Sequence, residues 1–377
     1  MVADDALDGI RIPSDLLPAD GRFGCGPSRI PGSALAALAA LGGSVLGTSH
    51  RQAPVRAQVA RLRQGLRALF GLPDGHEVLL AVGGATAFWD AATYGLIERR
   101  SRHYVLGEFS AKFAAAAEAA PWLDGIERVE AEPGTRPVIG PAPGADVQAL
   151  VHNETSTGVM QDIARVDDAL VVVDATSGAG GLPVRAADFD VYYFSLQKGF
   201  ASDGGLAVAL LSPAGVERIA RIAASGRHVP AFLDLAIALD NSRLDQTYNT
   251  PAIATIVLAA EQVEAMLAAH GSLDGVVEAQ RAKADHLYGW AEARPWAAPF
   301  VTDPAARSLV VATIDLDEAV RADDVNRVLR ANGIVDTDAY RKLGRNQLRV
   351  GAFPAVPLDD LEAYTACVDH VVTALTT

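Results

Sequence analysis

The chain has 377 residues, which is more than a single hydrophobic core usually serves, so we expect one large and one smaller domain. Half of the residues are hydrophobic and the formal net charge is −14, which supports a sizeable core and disfavours nucleic acid and anionic membranes as partners. Two cysteines are too few for a disulfide framework, and the acidic N-terminus is no secretory signal, so we expect a cytoplasmic protein without a metal.

The first 22 residues are expected to form a surface tail, because Pro13 and Pro18 interrupt regular structure. Two helices should follow, over residues 33–41 and 55–70. The first is rich in Ala and Leu, and the second carries apolar residues at helical spacing. The Ala/Leu-rich run is far too short to span a membrane. The sequence therefore predicts two helices before the first strand.

A glycine turn directly follows the first predicted strand, which covers residues 77–82. Gly83, Gly84 and Ala85 open a helix there, so free backbone amides and the helix dipole would favour a bound phosphate. Many such turns are merely tight connections, and this one does not match the GxGxxG fingerprint of dinucleotide-binding proteins. The pattern therefore argues against a dinucleotide and leaves a phosphate cradle and a plain connection both open.

Strands and helices alternate through the first part of the chain. We expect strands over residues 77–82, 103–106, 147–152, 170–173, 190–196 and 206–211, with a helix over residues 107–120. Because helical segments separate strands and polar loops repeatedly follow them, we interpret the pattern as an α/β fold around a mostly parallel sheet. The pair Gly204-Gly205 before the last strand favours a hairpin-like return, and hence one antiparallel strand.

An acid and an amine follow two of the buried strands. Asp174 comes directly after the apolar run 170–173, and Lys198 follows the β-rich run 190–196. Since ligands bind at the carboxyl ends of strands in an open α/β sheet, we expect both side chains in one crevice. Without further evidence, an aspartate such as Asp174 after a strand is most often a turn or helix-cap residue, and a lysine such as Lys198 is most often a solvated surface charge.

The composition changes this interpretation for the lysine. Only four of the 32 basic residues are lysines, so arginine is the default surface cation of this chain. A lysine that is desolvated at the end of an apolar strand is pushed toward its neutral, nucleophilic form. Schiff-base chemistry requires that form, and pyridoxal phosphate enzymes combine such a lysine with an acid for the pyridinium nitrogen.

The last part of the chain predicts a compact α+β unit of about a hundred residues. A polar loop over residues 241–251 precedes a long helix, 252–270, which we interpret as a bridge between two domains. Strands are then expected over residues 308–314 and 347–353, and helices over residues 322–331 and 358–375. Cys367 lies among apolar residues at helical spacing in the last helix, so we assign it to the core.

A cluster of cations lies near the end of this otherwise acidic chain. Its members, within nine residues, are Arg341, Lys342, Arg345 and Arg349. Such a cluster is either a solvated basic turn or a site for anionic ligands. Arg349 alternates with apolar neighbours on a predicted strand, which gives its planar guanidinium a fixed direction suited to bidentate capture of a carboxylate. His50 and Arg51 form a second candidate anion site, before the second helix.

Nine motifs along the chain, taken together, resemble one known family. They are FGCGPSRIP, GTSHRQAPV, GGATAFWDAATYGLI, GEFSAKF, HNETSTGV, VVDATSGAGG, YYFSLQKGFASDGG, DQTYNTPAIAT and ANGIVDTDAYRKLGRNQLRV. They span residues 23–350, and with them the chain resembles the fold-type I pyridoxal phosphate aminotransferases, specifically the phosphoserine aminotransferase family of actinobacterial type. The resemblance implies an N-terminal tail (1–22), a large cofactor-binding domain (23–262) and a small α+β domain (263–377). The large domain would hold a mostly parallel seven-stranded sheet with helices on both faces.

The resemblance also implies the cofactor, pyridoxal 5'-phosphate, and the residues that hold it. Lys198 would form the Schiff base, Asp174 would keep the pyridinium nitrogen protonated, and Thr155 would contact the ring hydroxyl. Phe109 stands where many family members stack an aromatic ring, often Trp, on the pyridine, so the stack is kept and the indole donor is lost. The cofactor phosphate would be bound by Gly84, Ala85 and Gln197.

Further positions imply a shared site and a doubly anionic substrate. Asn249 and Thr250 match positions that reach the cofactor phosphate of the neighbouring subunit, which implies a homodimer with shared active sites. The positions that match substrate-binding residues for phosphate and carboxylate are His50, Arg51 and Arg349. Many family members have a His-Arg pair just before the position of Arg349. Here the chain offers Arg341, Lys342 and Arg345 instead, so the contact to the substrate phosphate is left open among these three.

The implied reaction is a ping-pong transfer of the amino group from glutamate to 3-phosphohydroxypyruvate. It gives O-phosphoserine and 2-oxoglutarate, a step of serine biosynthesis. Action on a similar phosphorylated substrate, 4-phosphohydroxythreonine, would add a role in vitamin B6 (pyridoxine) synthesis.

An alanine/serine-glyoxylate aminotransferase is an alternative, but such an enzyme has little use for the cation cluster. A cysteine desulfurase needs a mobile cysteine, whereas Cys367 is expected in the core. An alternative from another class is a non-catalytic nucleotide-binding α/β protein, which would stay colourless when pyridoxal phosphate is added.

Overall fold

The computed structural model describes residue 7 and residues 9–376 of the chain. Its strands are β1 (Glu77–Val82), β2 (Arg100–Val105), β3 (Gly125–Glu130), β4 (Val147–Val151), β5 (Asn153–Glu154), β6 (Val159–Met160), β7 (Leu170–Asp174), β8 (Val191–Ser195), β9 (Leu206–Leu211), β10 (Ala297–Pro299), β11 (Val311–Leu316) and β12 (Gln347–Gly351). Seven of them form one sheet with the order β1-β9-β8-β7-β4-β2-β3. A three-stranded sheet has the order β10-β11-β12, and β5 pairs with β6.

The large sheet is parallel except for one strand. The pairs β2-β3, β2-β4, β4-β7 and β7-β8 are parallel, whereas β9 runs antiparallel to both of its neighbours, β8 and β1. Every residue of β4, β7, β8 and β9 is buried, which explains why these strands are almost continuously apolar. The predicted mostly parallel sheet with its antiparallel strand at residues 206–211 is confirmed.

Helices cover both faces of this sheet. The helices of residues 9–376 are α1 (Gly32–Leu41), α2 (Ala53–Leu69), α3 (Gly84–Gly95), α4 (Glu108–Glu118), α5 (Pro213–Ala223), α6 (Leu235–Arg243), α7 (Ile253–His270), α8 (Leu273–Glu292), α9 (Ala322–Ala331) and α10 (Leu358–Thr376). Helices α3 to α6 share one hydrophobic core with one face of the sheet, and α2 and α7 share another with the opposite face. Side chains alternate accordingly along β7, where Leu170 and Val172 face the first core and Val171 and Val173 face the second. The predicted doubly covered α/β fold is confirmed.

Helix α7 links the chain's large sheet to its C-terminal part. It is long and apolar enough to cross a membrane by length and composition, a test that buried core helices also pass. In this fold it packs along α2, and 56% of it is buried. The predicted domain boundary after residue 262 falls inside this helix and stays a prediction.

The C-terminal sheet is antiparallel and packs against helices α8, α9 and α10. Residues 21–27, here called the N-terminal segment, also lie against this unit. The N–H of Val335 donates to the carbonyl of Gly21 at 2.8 Å, and the N–H of Gly351 donates to that of Phe23 at 2.8 Å. The start and the end of the chain are therefore joined by backbone hydrogen bonds. Cys367 is fully buried in α10, as predicted.

Several elements escape the sequence prediction. Strand β3 carries charged side chains, is only half-buried and lies at the sheet edge, so no apolar run marks it. Helix α8, strand β10 and the β5-β6 hairpin were also not predicted. The loop expected from residue 241 starts after Arg243, because residues 241–243 complete α6. Strand β11 starts at Val311 rather than at residue 308, because the Ser308 hydroxyl accepts the N–H groups of Val310 and Val311 in a turn.

Candidate active site

A cavity of about 350 Å³ opens at the carboxyl ends of β4, β7 and β8. Seven residues predicted to hold the cofactor lie in its wall: Gly84, Ala85, Phe109, Thr155, Asp174, Gln197 and Lys198. They come from separate parts of the chain, and the sheet brings them together because its parallel strands end at one edge. The expectation that Asp174 and Lys198 share one crevice is met. Their chemical roles stay predictions.

The amine of Lys198 is held by neutral oxygens. Nζ donates to the carbonyl of Cys25 at 3.0 Å and lies 3.4 Å from the hydroxyl of Thr155. A Cβ atom on Gly26 would come within 2.7 Å of Lys198 Cε and 2.8 Å of Nζ, so only glycine lets the N-terminal segment approach this closely. Burial lowers the pKa of Lys198 to about 8, and the nearby cation Arg349 acts in the same direction.

This lowered pKa predicts how the apoprotein takes up its cofactor. The neutral amine is the nucleophile, and with a pKa of about 8 roughly a tenth of the amine is neutral at pH 7. We therefore expect the rate of covalent uptake of pyridoxal phosphate to rise about tenfold per pH unit below pH 8 and to level off above it. Stopped-flow absorbance measures this rate.

The same titration in Arg349→Gln serves as the control. Removing the neighbouring cation should move the midpoint to higher pH, since a positive charge disfavours the protonated amine. A rate that keeps rising up to pH 10 in the unmodified protein, as for an ordinary lysine, would show that Lys198 is not in the environment described here.

Asp174 is held by three hydrogen-bond donors. Oδ1 accepts the backbone N–H of Thr176 at 2.9 Å and its hydroxyl at 2.6 Å. Oδ2 accepts the indole N–H of Trp89 at 2.7 Å. Trp89 also lines the cavity, and sequence reasoning missed it because an aromatic residue at helical spacing is typical of a core position.

The other end of the cavity is built for an anion. Gly83 and Gly84 have φ values of 109° and 71°, and a Cβ on Gly83 would come within 2.6 Å of the Ala87 side chain, so the turn into α3 needs glycine. The amide oxygens of Asn153 and Gln197 are buried in the cavity wall without a hydrogen-bond partner among the described residues. An amine, a carboxylate and a helix N-terminus in one cavity fit pyridoxal phosphate.

An aromatic ring forms the remaining wall. Phe109 begins α4, and its ring centroid lies 5.7 Å from Lys198 Nζ. The buried carboxylate of Glu154 holds this helix start, because it accepts the N–H groups of Phe109 at 3.3 Å and Ser110 at 3.0 Å. Glu154 is a second residue that sequence reasoning missed. The signal was an acid between Asn153 and Thr155, both of which line the cavity.

The structure separates the four clustered cations from one another. Arg349 reaches the site, since its guanidinium donates to the carbonyl of Thr155 at 3.2 Å. Arg345 is bound by Asp315 on β11 at 3.0 Å, and Lys342 is paired with Glu108 at the start of α4. Arg341 is exposed and has no hydrogen bond or ion pair among the described residues. Of the three candidates left open, Arg341 is therefore the one that is free to bind a ligand.

Arg341 lies in a loop that packs over the cavity wall. On one side of it, the ring of Tyr340 lies 6.0 Å from that of Phe109, and the Arg349 guanidinium lies 5.4 Å from the Tyr340 ring centroid. On the other side, Lys342 contacts Glu108. Tyr340 was not singled out in the sequence, since only its contacts with the two ends of the site distinguish it.

Eight predicted site residues do not line this cavity: the four clustered cations described above, and a second group of four, His50, Arg51, Asn249 and Thr250. The ring of His50 lies against Thr250, with 3.2 Å between Nδ1 and Oγ1, and Arg51 donates to the side chain of Gln246 at 2.7 Å. Asn249 and Thr250 are exposed. His50, Arg51, Asn249 and Thr250 thus lie together, apart from the cavity, and their predicted role toward a neighbouring subunit stays a prediction.

The family model, the curated relatives and the solved structure that match this chain are all aminotransferases. The aminotransferase class-V model matches residues 24–337. A phosphoserine aminotransferase of Nocardioides sp. is 59% identical over 370 residues, covering 97% of this chain and 99% of the relative. One of Rhodococcus opacus is 54% identical over 367 residues, with 97% and 98% covered. The crystal structure of a phosphoserine aminotransferase from Cytophaga hutchinsonii has a TM-score of 0.86 at 25% identity, covering 93% of this chain and 98% of that one.

Proposed function

This chain belongs to the aminotransferase class-V family, and from that premise we propose that it transfers the amino group of glutamate to 3-phosphohydroxypyruvate, giving O-phosphoserine and 2-oxoglutarate. It is a pyridoxal phosphate-dependent transaminase of fold-type I. The observation that carries the choice of substrate is a pair of arginines near the cavity. Arg349 donates to Thr155 in the cavity wall, and Arg341, which is exposed and unpaired among the described residues, follows Tyr340, whose ring contacts Phe109. A substrate with a carboxylate and a phosphate matches two such cations.

The residues around the cavity would hold the cofactor by its two ends. Asp174 would accept the pyridinium N–H, and Thr155 would contact the ring hydroxyl. The turn at Gly84 and Ala85 would bind the phosphate together with the side-chain N–H groups of Gln197, which are donors. Phe109 would cover the ring. The bound cofactor supplies an electron sink that weakens the Cα–H bond of the substrate.

Lys198 has two tasks in this proposal. Its neutral amine would hold the cofactor, and the same amine would take up the proton that leaves the substrate Cα. Its acceptors at rest, the carbonyl of Cys25 and the hydroxyl of Thr155, keep it at the cavity wall without a carboxylate that would hold it charged. Burial favours the neutral form that both tasks require.

The substrate anions are assigned to two separate elements. Arg349 binds the carboxylate, because it lies on β12 and its guanidinium is already directed at the cavity wall by its bond to Thr155. Arg341 binds the phosphate, with His50 and Arg51 of a neighbouring subunit completing the site. The proposal assigns no such role to Arg345 and Lys342, because they are paired with Asp315 and Glu108.

A homodimer with shared active sites is part of the proposal. Asn249 and Thr250 would reach the cofactor phosphate of the partner. They stand beside large apolar side chains that are exposed in the single chain: Leu244 is 56% exposed, Phe232 50% and Tyr248 46%. Apolar residues exposed together are typical of a surface that another protein covers.

The product O-phosphoserine places the enzyme in serine biosynthesis. We further propose that it acts on 4-phosphohydroxythreonine in pyridoxine synthesis, because that substrate carries the same phosphate and carboxylate. We propose the cytoplasm as its site of action. No nucleic acid or membrane partner is part of the proposal, in keeping with a net charge of −14.

A single-turnover experiment tests the substrate. Enzyme preloaded with pyridoxamine phosphate is mixed with 3-phosphohydroxypyruvate or with pyruvate, and the absorbance change is followed. We expect a preference of about a hundredfold or more for the phosphorylated substrate, since charge-assisted bonds to the phosphate are absent with pyruvate. Arg341→Ala should raise the KM for 3-phosphohydroxypyruvate about tenfold or more and leave the rate with pyruvate unchanged.

Arg345→Ala is the matched control, because Arg345 lies in the same loop but is bound by Asp315. It should change the KM for the phosphorylated substrate by less than about twofold. Equal rates with the two substrates in the unmodified enzyme would remove the phosphate-specific function. Equal effects of the two substitutions would overturn the assignment to Arg341 alone.

A further inference from the structure

We infer that Trp89 is a positioning residue for the cofactor, because its indole N–H fixes the carboxylate of Asp174 in the orientation that meets the pyridinium nitrogen. The inference rests on the proposed role of Asp174 and adds a residue to it. Trp89 donates to Asp174 Oδ2 at 2.7 Å, both side chains line the cavity, and both are buried.

Counting hydrogen bonds shows which oxygen is free for the cofactor. An ionised carboxylate offers about four lone-pair positions, two on each oxygen. On Asp174, Oδ1 receives two donors from Thr176, and Oδ2 receives one donor from Trp89. The acceptor position that these three donors leave is on Oδ2, so the pyridinium N–H would share that oxygen with the indole N–H. Trp89 therefore sets the direction of the lone pair that the cofactor uses.

The indole is carried by a rigid element that also contacts the other end of the cofactor. Trp89 belongs to α3, the helix whose first residues form the phosphate turn. Ala85 and Trp89 are four residues apart, so they lie on the same face of the helix, about 6 Å apart along its axis. One helix thereby fixes the distance between the phosphate site and the carboxylate that receives the pyridinium.

The surroundings of Trp89 and Asp174 strengthen the hydrogen bond between them. Tyr193 is the register partner of Asp174 on β8, and its ring stacks on that of Phe88 with 4.4 Å between centroids. Burial, together with the charge of Asp174, raises the pKa of Tyr193, so a neutral phenol lies beside the carboxylate. In such an apolar setting a hydrogen bond to a charged group is strong, and its loss is costly. Phe109 on the stacking side has no polar atom, so the aromatic donor of this cavity is Trp89.

The substitution Trp89→Phe tests the inference, since it keeps an aromatic ring and removes the N–H. We expect the apoprotein to bind pyridoxal phosphate about tenfold or more weakly, measured by absorbance titration. The pH at which the absorbance of the bound cofactor changes should shift, because Asp174 no longer fixes the pyridinium. For glutamate, kcat should fall while KM stays near its original value. A purely structural tryptophan would lower thermal stability without moving the absorbance midpoint.

Trp290→Phe is the matched control. Its indole N–H donates to Asp369 at 3.1 Å, so the same kind of bond is lost outside the cavity. Cofactor affinity and absorbance midpoint should then stay within about twofold of those of the unmodified protein. In an Asp174→Asn background, Trp89→Phe should have a much smaller effect, because the two residues act as a pair.

Two results would overturn the inference. One is Trp89→Phe apoprotein that binds pyridoxal phosphate as tightly as the unmodified protein and with the same absorbance midpoint. The other is an equally large effect of Trp89→Phe when Asp174 has already been replaced. Failure of the unmodified protein to take up pyridoxal phosphate would instead overturn the proposed function itself, so the two failures are distinguishable.

Discussion

Replacing Lys198 with alanine is expected to lower transamination about ten-thousand-fold or more. The change removes both the amine that binds the cofactor and the group that takes up the Cα proton. It also removes the adduct that borohydride reduction fixes between the protein and pyridoxal phosphate. Mass spectrometry of the reduced protein measures the adduct, and a coupled assay with glutamate measures the rate.

The chain supplies a close control in Lys283. This lysine is also buried, and burial lowers its pKa to about 7. Its Nζ donates to Gln280 at 2.7 Å and to the carbonyls of Phe353 and Pro354 at 3.3 Å, outside the cavity. Lys283→Gln should therefore keep the reducible adduct. An adduct that survives Lys198→Ala and disappears in Lys283→Gln would show that the reactive amine has been misassigned.

Asp174→Asn is expected to lower kcat about a thousandfold, with a far smaller change in the KM for glutamate. An amide has the size of the carboxylate but presents N–H donors on one side. One of its ends would therefore face a donor, either the indole of Trp89 or the groups of Thr176. The neutral amide also cannot keep the pyridine nitrogen protonated, so the electron sink is weakened.

Steady-state kinetics with the absorbance spectrum of the bound cofactor measures this effect. Asp303→Asn is a suitable control, because Asp303 caps a short turn outside the cavity by accepting the N–H of Ala305, and asparagine caps such turns as well as aspartate does. An Asp174→Asn enzyme with unchanged kcat would remove the acid from the proposed mechanism.

The elements that the sequence predicted best are those whose burial leaves an apolar run. Strands β1 and β9 begin and end at the predicted residues, and every buried position of α2 falls at the expected helical spacing. The meeting of Asp174 and Lys198 was also predictable, since it follows from a general property of parallel sheets. Half-exposed elements such as β3 carry no such run and were missed.

Contacts between distant parts of the chain could not be read from the sequence. Trp89 and Asp174 are 85 residues apart, and the local sequence around either residue does not predict their hydrogen bond. The pairing of Arg345 with Asp315 is equally hidden, and it is what distinguishes Arg345 from Arg341. Local pattern thus predicts which residue types reach the site. It cannot predict which of several similar side chains has already been bound by another part of the protein.

The N-terminal segment has a consequence for how the enzyme is made. The carbonyl of Cys25 that receives the Lys198 amine belongs to a segment that is hydrogen-bonded to Val335 and Gly351. These partners are translated long after the segment itself. The loops that these contacts close are long, and closing long loops is slow. Lys198 thus reaches its final surroundings only after residues 335–351 have been made, which places cofactor capture after their synthesis.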